Sequence, residues 1–376
     1  MYILLVKYDN LNQQTFRNIS RILARDSKST TYKFALIRGV IDLISENSPY
    51  ILVQNDRAHL PLSLLIEKWL IYYYPLVDIP QINGQSNLSF YSDLKDLTIY
   101  YQSRGGLSAF YNDLRNKGIP SEIGSMFLKL VKKMAQTIVN MPMRYIGKSI
   151  INEDYSIFRR EDKGNKKLTD QLDGEYLLQL FGSFSIPLEY FEAFQVLGSF
   201  INGQDAILMK WAEFSVKASN QNLSLHYVLD EVLSSPVTNR EISESKLLYH
   251  NILQTEGQVR CVWSGKLVNH YDIDHIIPFS IWKNNDLWNL LPTTKALNNN
   301  KRDKIPSEGL LDSQRDLIIH YWDIIHTAKL QRFEKEIQAS LLGYNTSSNW
   351  QKTAFDHLKN SCNYLINVRG FESWNY

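Results

Sequence analysis

Apolar residues recur three and four positions apart over much of this chain. Phe34, Ile37, Ile41 and Ile44 would share one face of a helix. Similar spacing predicts helices around Leu60 to Tyr74, Met126 to Val139 and Ala206 to Lys217, while Pro49 to Val53 reads as a short strand. Arg159 to Asp170 mixes both charge signs around Gly164 and predicts a surface loop between subdomains. A boundary falls at Ser234-Ser235-Pro236. Thr238 and Glu241 follow it at a spacing that lets two side chains cap a helix start reciprocally, and Gly257 ends the helix this predicts. The next fifty residues lose the helical period. It returns after Pro306 at Leu317, Tyr321 and Ile325, then at Phe333, Ile337 and Leu341, with a last helix between Trp350 and Asn367. The expected fold is mainly α, of α+β type. A helical recognition or partner-binding region spans 1–235, a small irregular module with its leading helix spans 236–306, and bracing helices span 307–376.

Length supports that division, because 376 residues exceed one ordinary domain of roughly 100–200. With 44% apolar and 21% charged residues, the composition is that of a folded soluble protein rather than a disordered one. The formal charge of +2 excludes nothing, since a nucleic-acid protein can confine its positive charge to one cleft. Only Cys261 and Cys362 are present, so no disulfide framework is available and a cytoplasmic setting is expected. The opening run Met1 to Val6 is too short for a signal peptide. The apolar run Trp69 to Val77 is interrupted by Pro75 and falls short of the roughly 20 residues of a membrane span.

The chemistry concentrates between Cys261 and Pro306. Trp263-Ser264-Gly265-Lys266 predicts a tight turn, with a hairpin whose second strand carries Tyr271 to Ile277. Cleaving a phosphodiester requires a base for water, a hard cation on the phosphate and stabilisation of the leaving oxygen. His275 can be neutral and basic at physiological pH, and Asp274 beside it offers a carboxylate to Mg²⁺. An amide oxygen would complete the protein ligands, from Asn298, Asn299 or Asn300. Strand alternation puts Asp274 and His275 on opposite faces, so a shared site must lie at the strand's edge or end.

Asp272-Ile273-Asp274-His275-Ile276-Ile277-Pro278-Phe279-Ser280, then Asn289 and the Asn-rich basic stretch, resemble the HNH nuclease family, locally its CRISPR RNA-guided members. The resemblance implies a ββα-metal fold, with His275 as general base, Asp274 as metal ligand and Asn289 orienting the base. In the related domains the helix Asn lies eight positions before an equivalent Pro, so the resemblance implies Asn298, eight before Pro306, as second ligand. Many family members add Cys-x-x-Cys pairs for zinc, which a lone Cys261 does not permit, so packing by Trp282, Trp288 and Leu291 must hold the module together. The segment Arg260 to Pro306 carries a net +3, and Lys301, Arg302 and Lys304 suit phosphate contacts. Asp272 stays open between a supporting role, plain solvent exposure and a salt link to Lys301. The expected activity is Mg²⁺- or Mn²⁺-dependent DNA cleavage in restriction or anti-phage defence. Partners would be DNA and, through the helical region, another protein or a second copy; no membrane is expected. A non-cleaving nucleic-acid-binding scaffold and an RNA-directed nuclease are the alternatives.

Overall fold

The computed structural model describes residues 13–25, 29–82, 88–164, 172–203 and 207–376. The opening apolar run, residue 206 of one expected helix and residues 165–170 of the expected polar loop lie outside these. The chain is mainly helical with small sheets and divides into two compact units, residues 1–46 with 51–236, and residues 47–50 with 237–376.

In the first unit, the helix Tyr32–Ser45 buries Phe34, Ile37, Ile41 and Ile44, and also Ala35, Leu36, Val40 and Leu43. The spacing predicts one apolar face. Burial extends round most of the helix because Arg38 and Asp42 are nearly its only polar residues between Phe34 and Ile44. The helix Leu62–Tyr73 is similarly enclosed. A Cβ at Gly39 would lie 2.5 Å from Leu65 Cδ1, so a larger residue there would force the Leu65 side chain to move. The helices Ser121–Ile138 and Leu208–Ala218 form where the periodicity places them.

A four-stranded antiparallel sheet joins Leu52–Gln54, Arg57–Pro61, Ser183–Pro187 and Arg159–Arg160 in that spatial order. Asn55 and Asp56, both at positive φ, make its two-residue hairpin turn. The expected strand at Pro49 to Val53 begins only at Leu52, since residues 47–50 pack within the second unit, where the Tyr50 ring meets Tyr344 edge-on at 4.9 Å. Arg159 and Arg160, expected in a loop, instead form an edge strand, with Arg160 donating to the carbonyl of Phe181.

The second unit opens with the helix Ser243–Glu256, stopped by Gly257 at φ +71°. The predicted reciprocal cap does not form: Ile242 occupies the cap position, and Glu241 Oε1 accepts from Ser243 N at 2.8 Å. Tertiary contacts of Asn239 and Glu241 with Asn285 win over that local pattern. The turn at Ser264-Gly265 is present, with Gly265 N donating to Cys261 O at 2.8 Å. It joins Val259–Arg260 only to Leu267–Val268, which corrects the expected hairpin. The strand Asp272–His275 pairs instead with Leu290–Thr293, His275 opposite Leu290 and Asp274 opposite Leu291. Thr294 then caps the helix Lys295–Lys301 by accepting from Leu297 N, and Ser307 caps Glu308–Ala328 through Leu310 N. Trp288 and Leu291 are fully buried in a core shared with Trp322, Phe355 and Leu358, with Trp282 packed against it. The helices after Pro306 therefore complete the hydrophobic core of the short strands. Among the described residues, no helix is long and apolar enough to cross a membrane.

Candidate active site

Asp274 and His275 end a strand that both flanks hold tightly. The Asp274 carboxylate is buried, with Oδ2 accepting from Trp263 Nε1 at 2.7 Å and the Lys301 ammonium 3.2 Å from each oxygen. Lys301 also donates to the carbonyl of His275 at 2.6 Å. Burial raises the carboxyl above its ordinary pKa, and Lys301 is the largest influence opposing that rise.

The His275 imidazole faces other neighbours, as strand alternation requires. Phe279 meets it edge-on at 5.7 Å, and its Nε2 lies 3.3 Å from Asn285 Oδ1. Asn285 donates through Nδ2 to Asn239 O and accepts from Glu241 N at Oδ1, which fixes the amide with its oxygen toward the ring. Nε2 is thus the protonated nitrogen and Nδ1 keeps its lone pair. Burial lowers the His275 pKa to about 4, the Asn285 hydrogen bond opposes this, and Arg240 and Lys301 add to the lowering. The ring is neutral at physiological pH.

Asn289 is fully buried and does not touch the imidazole. Its amide closes on the backbone of Ile277, accepting from the N–H at 2.8 Å and donating to the C=O at 3.0 Å, while its own carbonyl accepts from Ile276 N. The chain just past His275 is fixed by this cage. Behind it, Glu336 Oε2 accepts from Leu287 N at 2.6 Å, and Arg332 binds Glu336, Glu244 and the carbonyl of Asn285.

The three consecutive asparagines diverge, as a rotation of about 100° per residue demands. Asn300 Oδ1 accepts from Trp374 Nε1 at 2.8 Å, whereas Asn298 and Asn299 line a cleft of about 810 Å³ whose lining also includes Asp272, Asp274 and His275. Arg302 lines the same cleft. Lys301 points inward, only 1% exposed, against the expectation of a surface phosphate contact, because Asp274 needs a buried counter-charge. Lys304 pairs with Glu372 at 2.7 Å and is not part of the cleft lining. Asp272 lines the cleft, and the salt link to Lys301 is made by Asp274 instead. Sequence reasoning missed Trp263, read only as a turn residue, and Asn285, within a polar run. It also missed Arg240 and Lys246, which line the cleft from outside the motif.

The donors suit a hard divalent ion. Among the described residues no three of His, Cys, Asp and Glu form a metal cage. Asp274 and Asn298 instead offer one carboxylate and one amide oxygen at the same cleft, the sparse set that Mg²⁺ completes with water and substrate phosphate. The Asp274 carboxylate is already engaged by Trp263 and by Lys301, and an ion bound there would share it with them.

Residues 264–307 match the HNH endonuclease family, and these strands with the asparagine-bearing helix constitute an HNH endonuclease module. Residues 12–232 match a domain of unknown function, DUF8808, over more than half of the chain, and the chain belongs to that family. No curated protein matches it.

Proposed function

We propose that the protein is a metal-dependent endonuclease that hydrolyses DNA phosphodiester bonds in bacterial restriction or anti-phage defence, acting in the cytoplasm. The observation that carries this reading is the convergence of Asp274, His275 and Asn298 on one cleft. His275 accepts a proton from the attacking water at Nδ1, while Asn285 holds Nε2–H and keeps the ring in place. Asp274 and Asn298 would hold Mg²⁺ or Mn²⁺, which when bound supplies Lewis-acid activation of the scissile phosphate. Asn289 keeps the chain beyond His275 from shifting, and Lys301 balances the Asp274 charge. Arg302 lines the cleft where backbone phosphate would enter. The defence role draws on the architecture, a long helical unit preceding a C-terminal cutter, and that unit would bind a target, a protein partner or a second copy.

Supercoiled plasmid incubated with Mg²⁺, Mn²⁺ or EDTA tests the reaction. Wild type should nick or linearise DNA only with metal, leaving 5′-phosphate and 3′-hydroxyl ends, and His275→Ala should lose at least about 100-fold in rate. Near-wild-type cutting by that variant would sink the mechanism. Cleavage of RNA alone would move the reading to an RNA nuclease, and absence of cutting on either would leave a binding scaffold. Phage plating on cells carrying wild type or His275→Ala tests the defence role, and equal plating overturns it.

A further inference from the structure

Three exposed cations, Arg240, Lys246 and Arg302, line the cleft, and among the described residues none of them forms an ion pair. Several other cations of the same unit are neutralised: Lys304 by Glu372, Lys359 by Glu308 and Asp312, and Lys329 by Glu244. Arg302 belongs to the HNH module. Arg240 and Lys246 lie ahead of residues 264–307, on the segment that leads into the helix Ser243–Glu256 and on its first turn.

Their placement is specific. Asn285 hydrogen-bonds Asn239 O at 2.9 Å and Glu241 N at 3.2 Å, so both backbone neighbours of Arg240 are fastened by one amide. The Arg240 guanidinium reaches the Phe279 ring at 5.9 Å, beyond the C-terminal end of the strand Asp272–His275. Lys246 stands at the other end, its carbonyl accepting from the Tyr271 hydroxyl at 3.0 Å. The two residues therefore reach the strand that carries Asp274 and His275 from different sides, and both line its cleft. Four strand residues span about 10 Å at roughly 3.3 Å per step. That is about three base-pair steps along a duplex axis at roughly 3.4 Å each.

We propose that Arg240 and Lys246 form a phosphate track that grips one DNA strand on both sides of the scissile bond, supplied from outside the HNH module. This rests on the nuclease reading above. Arg240, with its backbone anchored and its side chain near Phe279, is prearranged to fork onto one phosphate, and Lys246 provides a point charge for another. Such contacts set where the strand lies and carry no base specificity.

The test measures binding of a fluorescein-labelled 20-base-pair DNA duplex by full-length His275→Ala protein across a salt series. Arg240→Gln and Lys246→Gln are each introduced into that background, with Lys266→Gln, an exposed position outside the cleft lining, as control. Each track substitution should flatten the slope of log Kobs against log salt by about 0.9, and the pair by about 1.8, weakening binding roughly tenfold per site at 0.1 M salt. The control should leave the slope unchanged. In the cleaving background KM should rise by more than kcat falls. Slopes equal to the parent's overturn the track, as does a loss seen with a single-stranded RNA probe and not with DNA. Unchanged unfolding midpoints separate both outcomes from misfolding. If the wild type cuts plasmid while the double variant keeps its slope, only the track fails; if the wild type cuts no DNA with any metal, the nuclease reading fails with it.

Discussion

On the proposed reading the buried Asp274 holds a cation, and two donors stabilise its carboxylate for that: the Trp263 indole and the Lys301 ammonium. Trp263→Phe removes the indole N–H while keeping an aromatic ring in the buried position. Metal-dependent cleavage should fall 10- to 100-fold, and Mn²⁺ binding by calorimetry should weaken to match, as for other groups that orient a ligand from behind. An unchanged Mn²⁺ affinity would remove Trp263 from this role. Asp274→Ala should abolish metal-dependent activity and leave the helical circular dichroism intact. Asn289 acts on the backbone only. Asn289→Ala would strand the N–H and C=O of Ile277 inside the core, and should lower stability by about 2–4 kcal/mol in a denaturant titration. A loss below about 1 kcal/mol would show that the cage is dispensable.

The turn Leu287–Asn289 depends on an element far along the chain. Glu336, on the helix Leu330–Ile337, accepts from Leu287 N beside Asp286 and Arg332. Burial pushes its pKa up to about 8, Asp286 adds to the rise and Arg332 opposes it. The folded form then keeps a proton that the unfolded chain releases near its ordinary value of 4.5. This group's contribution to stability is complete below about pH 4.5 and is lost as pH rises toward 8. Wild type should therefore lose more unfolding free energy than Glu336→Gln between those limits, with slopes differing by about 1 kcal/mol per pH unit. Parallel pH profiles for the two proteins would place the carboxylate's ionisation in both states alike. The same helix explains part of what local pattern misjudged: Arg332 and Asn285 organise the stretch around Glu241, and the cap expected from Thr238 has no part in it.

At the scale of the molecule, the second unit is assembled from two separate stretches of chain. Asn47 donates to the buried Ser361 hydroxyl at 2.9 Å, and the partly buried ring of His357 donates through Nε2 to the carbonyl of Asn47. Asn47 sits at φ +48°, a conformation that asparagine tolerates better than alanine. Asn47→Ala should cost about 1–3 kcal/mol from the lost hydrogen bond and the strained backbone together. Hydrogen exchange should accelerate in the helix Trp350–Asn367 while amides of the helix Tyr32–Ser45 keep their protection. Equal acceleration in both helices would contradict the assignment of residues 47–50 to the second unit.

The sequence by itself determined the elements whose information is local. Apolar spacing located the helices, glycine at 257 and 265 marked a helix end and a turn, and the Asp-His pair with the asparagine run marked the stretch where the candidate site lies. Only tertiary structure decided which groups meet. It paired Asp272–His275 with Leu290–Thr293, turned Asn300 toward Trp374, drew Lys301 inward to Asp274 and brought Asn285, Arg240 and Lys246 to His275 and its cleft. The physical reason is distance along the chain: periodicity and turn chemistry act over a few residues, whereas counter-charges and hydrogen-bond partners for buried groups come from wherever packing delivers them.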